Sequence, residues 1–446
     1  MTTIKLKKGY DLKLKGNVED LTIAKAPQTQ LYAVVPDDFT GVVPRLEKKE
    51  GDIVAAGEAL YHDKSNESIK VCSPVSGTVK EVRRGERRKI EAIIIEADGK
   101  QTSAKIPTDD IKAALLQSGL WAMMRQRPYD IVPDPGTEPR DIFVTCFDSA
   151  PLAPSLSVFT QGKQEFIAKG IAALSKLTAG KVYLGCSPDN VIESDNTVVF
   201  HGPHPAGNAG IQAANIKPVN KGEVIWTTDI VTVIRLGQLL TTGTVDYTTV
   251  VALTGEKVAK PQLVECTMGA PISSIVGGNI ADTANTRIIS GNVLTGIPVD
   301  TDSYLRAPYR QITAIPNISC PDEFMGWASV SPKKFSIYRS FTSWLLGGSK
   351  PQSFDAKING GERAIVMAGE YDRMIPMDIY AEFLIKAIIT FDIEKMEQLG
   401  IYEVAPEDFA LAEYADTSKL ELQRIVRDGL NRLHAEMCCP PVAHEA

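Results

Sequence analysis

The sequence predicts a multidomain chain of α/β and β units that ends in a helical domain. Three observations carry this. At 446 residues the chain is too long for one hydrophobic core. Its apolar pattern switches repeatedly between short β-runs and helical spacing. One strand–helix–strand run, residues 142–186, reads as a β-α-β unit, with a right-handed crossover expected.

Residues 1–26 are lysine-rich, and Ile4, Leu6, Leu12 and Leu14 read as short strands. A strand over Leu31–Val35 is stopped by Pro36. Gly51, Gly57 and Gly77 then punctuate short β-runs over 44–82, a small all-β module. Its KKEGDIVAAGEAL and SPVSGTVKEV segments resemble the half-motif of biotinyl/lipoyl domains. Residues 1–105 are therefore expected to form a biotinyl/lipoyl-like barrel with N-terminal strands. Such domains modify a lysine at a hairpin tip. Lys64 follows Asp63 in that way, but it lies rather far from Ser73-Pro74, so the unmodified barrel is preferred.

Residues 106–247 read as a Rossmann-like α/β domain. A helix over Ile111–Leu116 precedes the strand Ile142–Cys146. The helix Gln164–Leu177 follows, with Phe166, Ile167, Ile171, Leu174 and Leu177 on one face. Gly180 stops it before the strand Lys181–Cys186. Val224–Trp226 and the helix Ile230–Leu240 continue the pattern. The loop Phe147–Pro154 contains two prolines and no glycine. A phosphate cradle needs glycines for close approach and free N–H groups to donate. Proline removes the donor, so this domain is expected to lack a phosphate loop.

Strands over Thr249–Thr254, Gln262–Cys266 and Arg287–Gly291, with a short helix, suggest a β-grasp-like, soluble-ligand-binding module over 248–335. Residues 336–446 read as a linker and a helical domain without iron–sulfur ligands, with about three helices from Pro376. In the last helix Leu422, Ile425, Val426, Leu430 and Leu433 form a core stripe, and Arg424, Arg427 and Arg432 face elsewhere.

The net charge of −7 argues against nucleic acid as a partner. It also argues against a general polybasic membrane anchor, leaving room for a local patch. No run approaches the ~20 apolar residues of a membrane helix; Ile379–Phe391 is broken by Glu382 and Lys386. The first residues have no apolar signal-peptide core. The expected location is the cytosol or the cytosolic face of a membrane.

Seven cysteines (Cys72, Cys146, Cys186, Cys266, Cys320, Cys438 and Cys439) contain no C-x-x-C. Iron–sulfur and structural zinc sites need grouped thiolates. Reduced, mostly buried cysteines are expected, with Cys438 and Cys439 as free thiols. Nucleotide-binding, hydrolase and zinc-protease motifs are missing. His201 and His204 lie in a Pro- and Gly-rich turn and read as a structural or ligand-contacting loop. The segment Trp121–Tyr129 gathers Trp, Tyr, two Met and two Arg. It suits a packed helix end, or a flat apolar ring with polar handles such as a quinone.

The strings GLWAMMRQRPYDIVP, IFVTCFDSAPLAP, FHGPHPAGNAG and RIISGNVLTG resemble the A-subunit family of the Na+-translocating NADH:quinone oxidoreductases. So do MGWAS at 325–329, FSIYRSF at 335–341, GEYDRMIPMDI at 369–379 and QLGIYEVAPEDFALAEY at 398–414. The family is related to the electron-entry subunit of Rnf-type complexes and to the flavin subunit of complex I. Those relatives carry a glycine-rich flavin loop and clustered cysteines, and this chain departs from both patterns. The resemblance implies a peripheral subunit on the cytoplasmic face of the bacterial inner membrane, active in quinone reduction within the complex and inactive alone. It implies no redox cofactor on this chain. FAD, FMN, riboflavin and iron–sulfur centres would lie in partner subunits, and the quinone-binding B-subunit of the membrane part would be the chief contact. An Rnf-type NADH-oxidising flavoprotein and a lipoyl/biotin carrier are the alternatives.

On this reading Phe39, Trp121, Arg125, Arg127 and Tyr129 are expected near the quinone head group. Trp121, Arg125, Arg127 and Tyr129 are expected to fill the place of a flavin phosphate. No catalytic group, cofactor ligand or metal ligand is nominated.

Overall fold

The computed structural model describes residues 1–318, 334–346, 350–366 and 368–438. The MGWAS string, Cys320 and Cys439 lie outside these residues.

The first unit packs two antiparallel sheets. One orders Leu31–Val34, Ile90–Ala97, Gly77–Arg84 and Ile53–Val54; the other orders Pro44–Leu46, Ala59–Asp63 and Lys70–Cys72. The central pair is the long hairpin Gly77–Arg84 with Ile90–Ala97, whose register shifts twice. Ile93 and Ile95 point into the core with Leu60 and Val79. Ala33, Ala92 and Ile94 on the opposite face are buried in a second, smaller cluster, so the sheet is covered on both sides there.

The second unit is a six-stranded sheet ordered Thr2–Lys5, Thr197–His201, Val182–Cys186, Ile142–Thr145, Ile225–Asp229 and Arg125–Arg127. All pairings are parallel except the last. Helices Gln164–Leu174 and Ile230–Thr242 pack against each other beside it. A Cβ added to Gly170 would stand 2.3 Å from the Val233 carbonyl oxygen, and one on Gly237 would stand 2.0 Å from that of Phe166. The two backbones therefore touch only because both positions lack a side chain.

The third unit is a mixed sheet ordered Ile297–Val299, Thr286–Ser290, Gln311–Pro316, Thr248–Thr254, Gln262–Thr267 and Ile23–Lys25. One apolar core runs through all three units, from Leu60 and Ile95 through Ile142 and Leu184 to Val251 and Ile312.

The N-terminal strands do not join the first unit. Thr2–Lys5 extends the second sheet and Ile23–Lys25 extends the third. Leu12 and Leu14 form no strand, because only Leu14 finds a backbone partner, Gln352. Both side chains are buried in the helical core instead.

After Pro376 come helices Ala381–Thr390, Ile393–Gln398, Ala410–Ala415 and Leu422–Cys438. Among the described residues that is one more than the sequence suggests, since Ile393–Gln398 and Ala410–Ala415, at six residues each, are too short to show a clear period. Leu422, Val426, Leu430 and Leu433 are fully buried, as the stripe requires. Arg427 lies off that stripe and is partly buried. It donates to the carbonyls of Tyr129 at 3.0 Å and Asp130 at 3.1 Å, and pairs with the Asp130 carboxylate.

Gly237→Ala forces the two helices apart. It is expected to destabilise the chain by ~1–3 kcal/mol in denaturant unfolding, whereas a Gly361→Ala control on the surface, where nothing crowds an added Cβ and φ is not positive, leaves packing intact.

Candidate functional site

The parallel strands end where a nucleotide would lie in an open α/β sheet. After Ile142–Thr145 the loop is locked onto itself. Thr145 Oγ1 donates to the carbonyls of Phe147 (3.0 Å) and Gly207 (2.8 Å). Ser149 Oγ accepts the Gly207 N–H at 2.8 Å and lies 3.0 Å from His204 Nδ1. Burial lowers the pKa of His204 to about 4, so it is neutral at physiological pH. His201 is exposed and takes no part.

The next helix start is occupied too. The Asp229 carboxylate accepts the Thr232 N–H at 2.9 Å and Arg310 Nη2 at 2.7 Å. Burial acts to raise its pKa, but Arg310 and the N–H outweigh it and the net shift is downward. A fixed anion thus sits where a phosphate would bind a helix N-terminus. The residues that close this place are Asp229 and Arg310. They are not the Trp121, Arg125, Arg127 and Tyr129 that the sequence suggests, which lie on and beside the antiparallel edge strand.

The five nominated residues go to different places. Trp121 is fully buried, donates from Nε1 to the Pro133 carbonyl at 2.8 Å, and meets Trp226 edge-on at 5.0 Å. Arg125 donates to the Asp38 carbonyl at 2.7 Å and the Ala122 carbonyl at 3.0 Å. Arg127 is 1% exposed and binds the Asp408 carboxylate and the Glu403 carbonyl, both at 2.7 Å. Tyr129 lies edge-on to His434 at 4.8 Å. Only Phe39 lines a crevice.

That crevice lies where the first three units meet. Val34, Phe39 and Val71 come from the first unit; Met123 and Tyr247 lie beside the second; Met268 and Leu305 belong to the third. Its volume is ≈ 30 Å³, room for about one or two waters. A flat ring enters only if the units part. Asp38 anchors one wall, with Arg306 Nε at 2.5 Å and the Ala307 N–H at 2.8 Å. Burial raises the Asp38 pKa and Arg306 opposes it, leaving a net rise. Tyr247 donates to the Ser118 carbonyl at 3.2 Å. Burial pushes Cys72 up to about 12, so it is a thiol and not a nucleophile. Cys72, Cys146, Cys186 and Cys266 are buried and unbridged, and Cys438 is exposed. Among the described residues no group of three or more His, Cys, Asp or Glu is placed to hold a metal ion. Arg306, Tyr247, Met268 and Leu305 escaped sequence reasoning, because they come from distant segments with no shared spacing.

The class of this multidomain α/β chain is specified by three family matches. The NqrA N-terminal barrel-sandwich hybrid domain matches residues 4–98. The NqrA second alpha/beta domain matches 106–245, and the NQRA C-terminal domain, an SLBB domain, matches 250–300. The A-subunit of the Na(+)-translocating NADH-quinone reductase from Neisseria meningitidis serogroup B is 33% identical over 449 residues, covering 97% of this chain and 100% of that protein. The Photorhabdus laumondii protein of that name is 33% identical over 448 residues with the same coverage, and the Hahella chejuensis protein 34% over 450. The chain belongs to the A-subunit family of the Na(+)-translocating NADH-quinone reductases. Among solved structures, an NAD+-reducing [NiFe]-hydrogenase in the H2-reduced state aligns with TM-score 0.32 and 12% identity over 67% of this chain and 55% of that one, too slight a likeness to bear on function.

Glu403 gives the seam between sheet edge and helices a pH dependence. Burial raises its pKa to about 7, against Arg127 and with help from Asp378 and Asp408. A raised folded pKa contributes stability that is full below the unfolded value near ~4.3 and is lost as pH rises through about 7. The Tm of Glu403→Gln is expected to gain on that of the parent chain as pH rises from weakly acidic to neutral. The gap levels off above neutrality.

Proposed function

We propose that this chain is a peripheral subunit on the cytoplasmic face of a Na+-translocating NADH:quinone reductase complex. It works at the quinone-reduction step and carries no redox cofactor of its own. FAD, FMN, riboflavin and iron–sulfur centres would belong to partner subunits, and the quinone-binding membrane partner, the B-subunit, is the chief contact. The observation that supports this best is the Asp229–Arg310 pair on the helix start, where a flavin or NADH phosphate would otherwise bind. Among the described residues no helix is long and apolar enough to cross a membrane, which suits a subunit held by others.

A Rossmann-like ancestry is supported by strand order. Of the strands beginning at Ile142, Val182, Thr197 and Ile225, the spatial order is third, second, first, fourth. The β-grasp reading of the third unit rests on its mixed sheet and short helix Ile272–Val276.

The quinone ring is proposed to lodge in the crevice when the units part. Phe39 then faces the ring and Arg125 holds the Asp38 backbone beside it. Trp121, Arg127 and Tyr129 act from further away by fixing the edge strand. The purified chain is expected to show no stoichiometric flavin or iron–sulfur absorption. In the assembled complex a photoreactive quinone is expected to label the peptide holding Phe39 or that holding Met123. A bound flavin, or labelling confined to other subunits, removes the corresponding half of the proposal.

A carrier role has one observation in its favour. Lys64 is exposed on the turn between Ala59–Asp63 and Lys70–Cys72. The Asp63 carboxylate pins that turn by accepting the Val43 N–H at 2.7 Å and the Asn66 N–H at 3.1 Å. Intact mass of the protein from its natural source decides, and an unmodified chain is expected.

A further inference from the structure

The long central hairpin of the first unit ends in Arg83-Arg84-Gly85-Glu86-Arg87-Arg88-Lys89. From 83 to 89 five cations stand against one carboxylate, Glu86, in a chain whose net charge is −7. All five cations are exposed. Arg83 leans on Glu81 at 3.2 Å, and Arg84 donates to the Arg88 carbonyl at 3.2 Å. Among the described residues Arg84, Arg87 and Arg88 have no carboxylate partner.

The backbone adds a second, independent observation. Arg87 has φ 54° and Arg88 φ 63°. Two consecutive left-handed residues suit glycine or asparagine, and long side chains adopt that conformation at a cost. A hairpin needing only to turn has no use for arginine there. Strain retained at an exposed tip points to a role for the side chains.

The tip is also tied to the crevice. Lys89 Nζ donates to Asp37 at 2.7 Å, next to Asp38 and Phe39 in the crevice wall.

We propose that this arginine tip docks on the anionic phospholipid headgroups of the bilayer and so seats the crevice wall at the membrane surface. Arginine's planar fork matches phosphate. Charge near an anionic leaflet is the term that holds peripheral proteins without an inserted segment. An acidic protein face is the rival partner. The tip is convex and polar, without the aromatic and aliphatic anchors that protein interfaces concentrate. The proposal rests on the peripheral seat argued above, which co-purification with the membrane subunits tests separately.

Sedimentation of the full chain with vesicles tests it. Binding is expected to phosphatidylcholine vesicles containing phosphatidylglycerol and not to phosphatidylcholine alone, and it is expected to weaken as salt is added. Each arginine removed is expected to cost about fivefold in affinity. In Arg87→Gly/Arg88→Gly the substitutions relax the backbone, so the variant folds at least as well as the parent and its lost binding reports charge. Equal binding to both vesicles, or undiminished binding by this variant, overturns the proposal. So does a variant that keeps vesicle binding yet fails to assemble with the membrane subunits in lipid-free detergent, which points to an acidic protein face. A parent chain that co-purifies with those subunits but ignores anionic vesicles overturns the docking and leaves the peripheral seat standing.

Discussion

A charge taken out of water must find a partner, and this requirement holds the four units together. Asp38 of the first unit takes Arg306 of the third. Asp229 of the second takes Arg310 of the third. Arg127 on the second sheet's edge takes Asp408 of the helical tail. Each carboxylate or guanidinium is costly alone, so each pair makes one relative placement of two units far better than the alternatives. Apolar burial supplies most of the favourable free energy, but it is non-directional. The ion pairs add direction.

The same pairs shape what the protein can do. Asp229 and Arg310 satisfy one another at the start of the helix Ile230–Thr242. In the loop after Ile142–Thr145 the Thr145 hydroxyl donates to the Gly207 carbonyl, the Ala150 N–H donates to Asp148, and Ser149 Oγ accepts the Gly207 N–H. The apolar crevice lies between units and not inside one. It is walled by apolar side chains from all three, with Asp38 bound at its edge. A site built this way changes size when units shift, and its tightness in this conformation follows from the pairs that hold them closed.

The elements were largely legible because their signals are local. The all-β start, the β-α-β run and the apolar stripe of the last helix each follow from period and breaker residues within a few turns. The site was much less so. Trp121, Arg125, Arg127 and Tyr129 look like one cluster in sequence, yet only Arg125 and Arg127 lie on the short edge strand, with Trp121 in the turn before it and Tyr129 beyond its end. Trp121 meets Trp226, Arg127 reaches the tail, and Tyr129 meets His434. Composition marked the segment as unusual without saying which neighbour each side chain would meet.

By itself the sequence determined the strands and helices, the lack of a glycine-rich phosphate loop, the lack of grouped cysteines, and the family. These are properties of neighbouring residues, and periodicity and motif report them directly. Tertiary structure alone decided that two N-terminal strands leave the first unit for the other two sheets. It also decided that Asp229 pairs with Arg310 at a helix start, and that Asp38 and Phe39 border a crevice with Tyr247 and Leu305. Arg127 and Asp408 are 281 residues apart. No local pattern encodes such a pairing, because it is selected by the desolvation cost of every arrangement that would leave one of them alone.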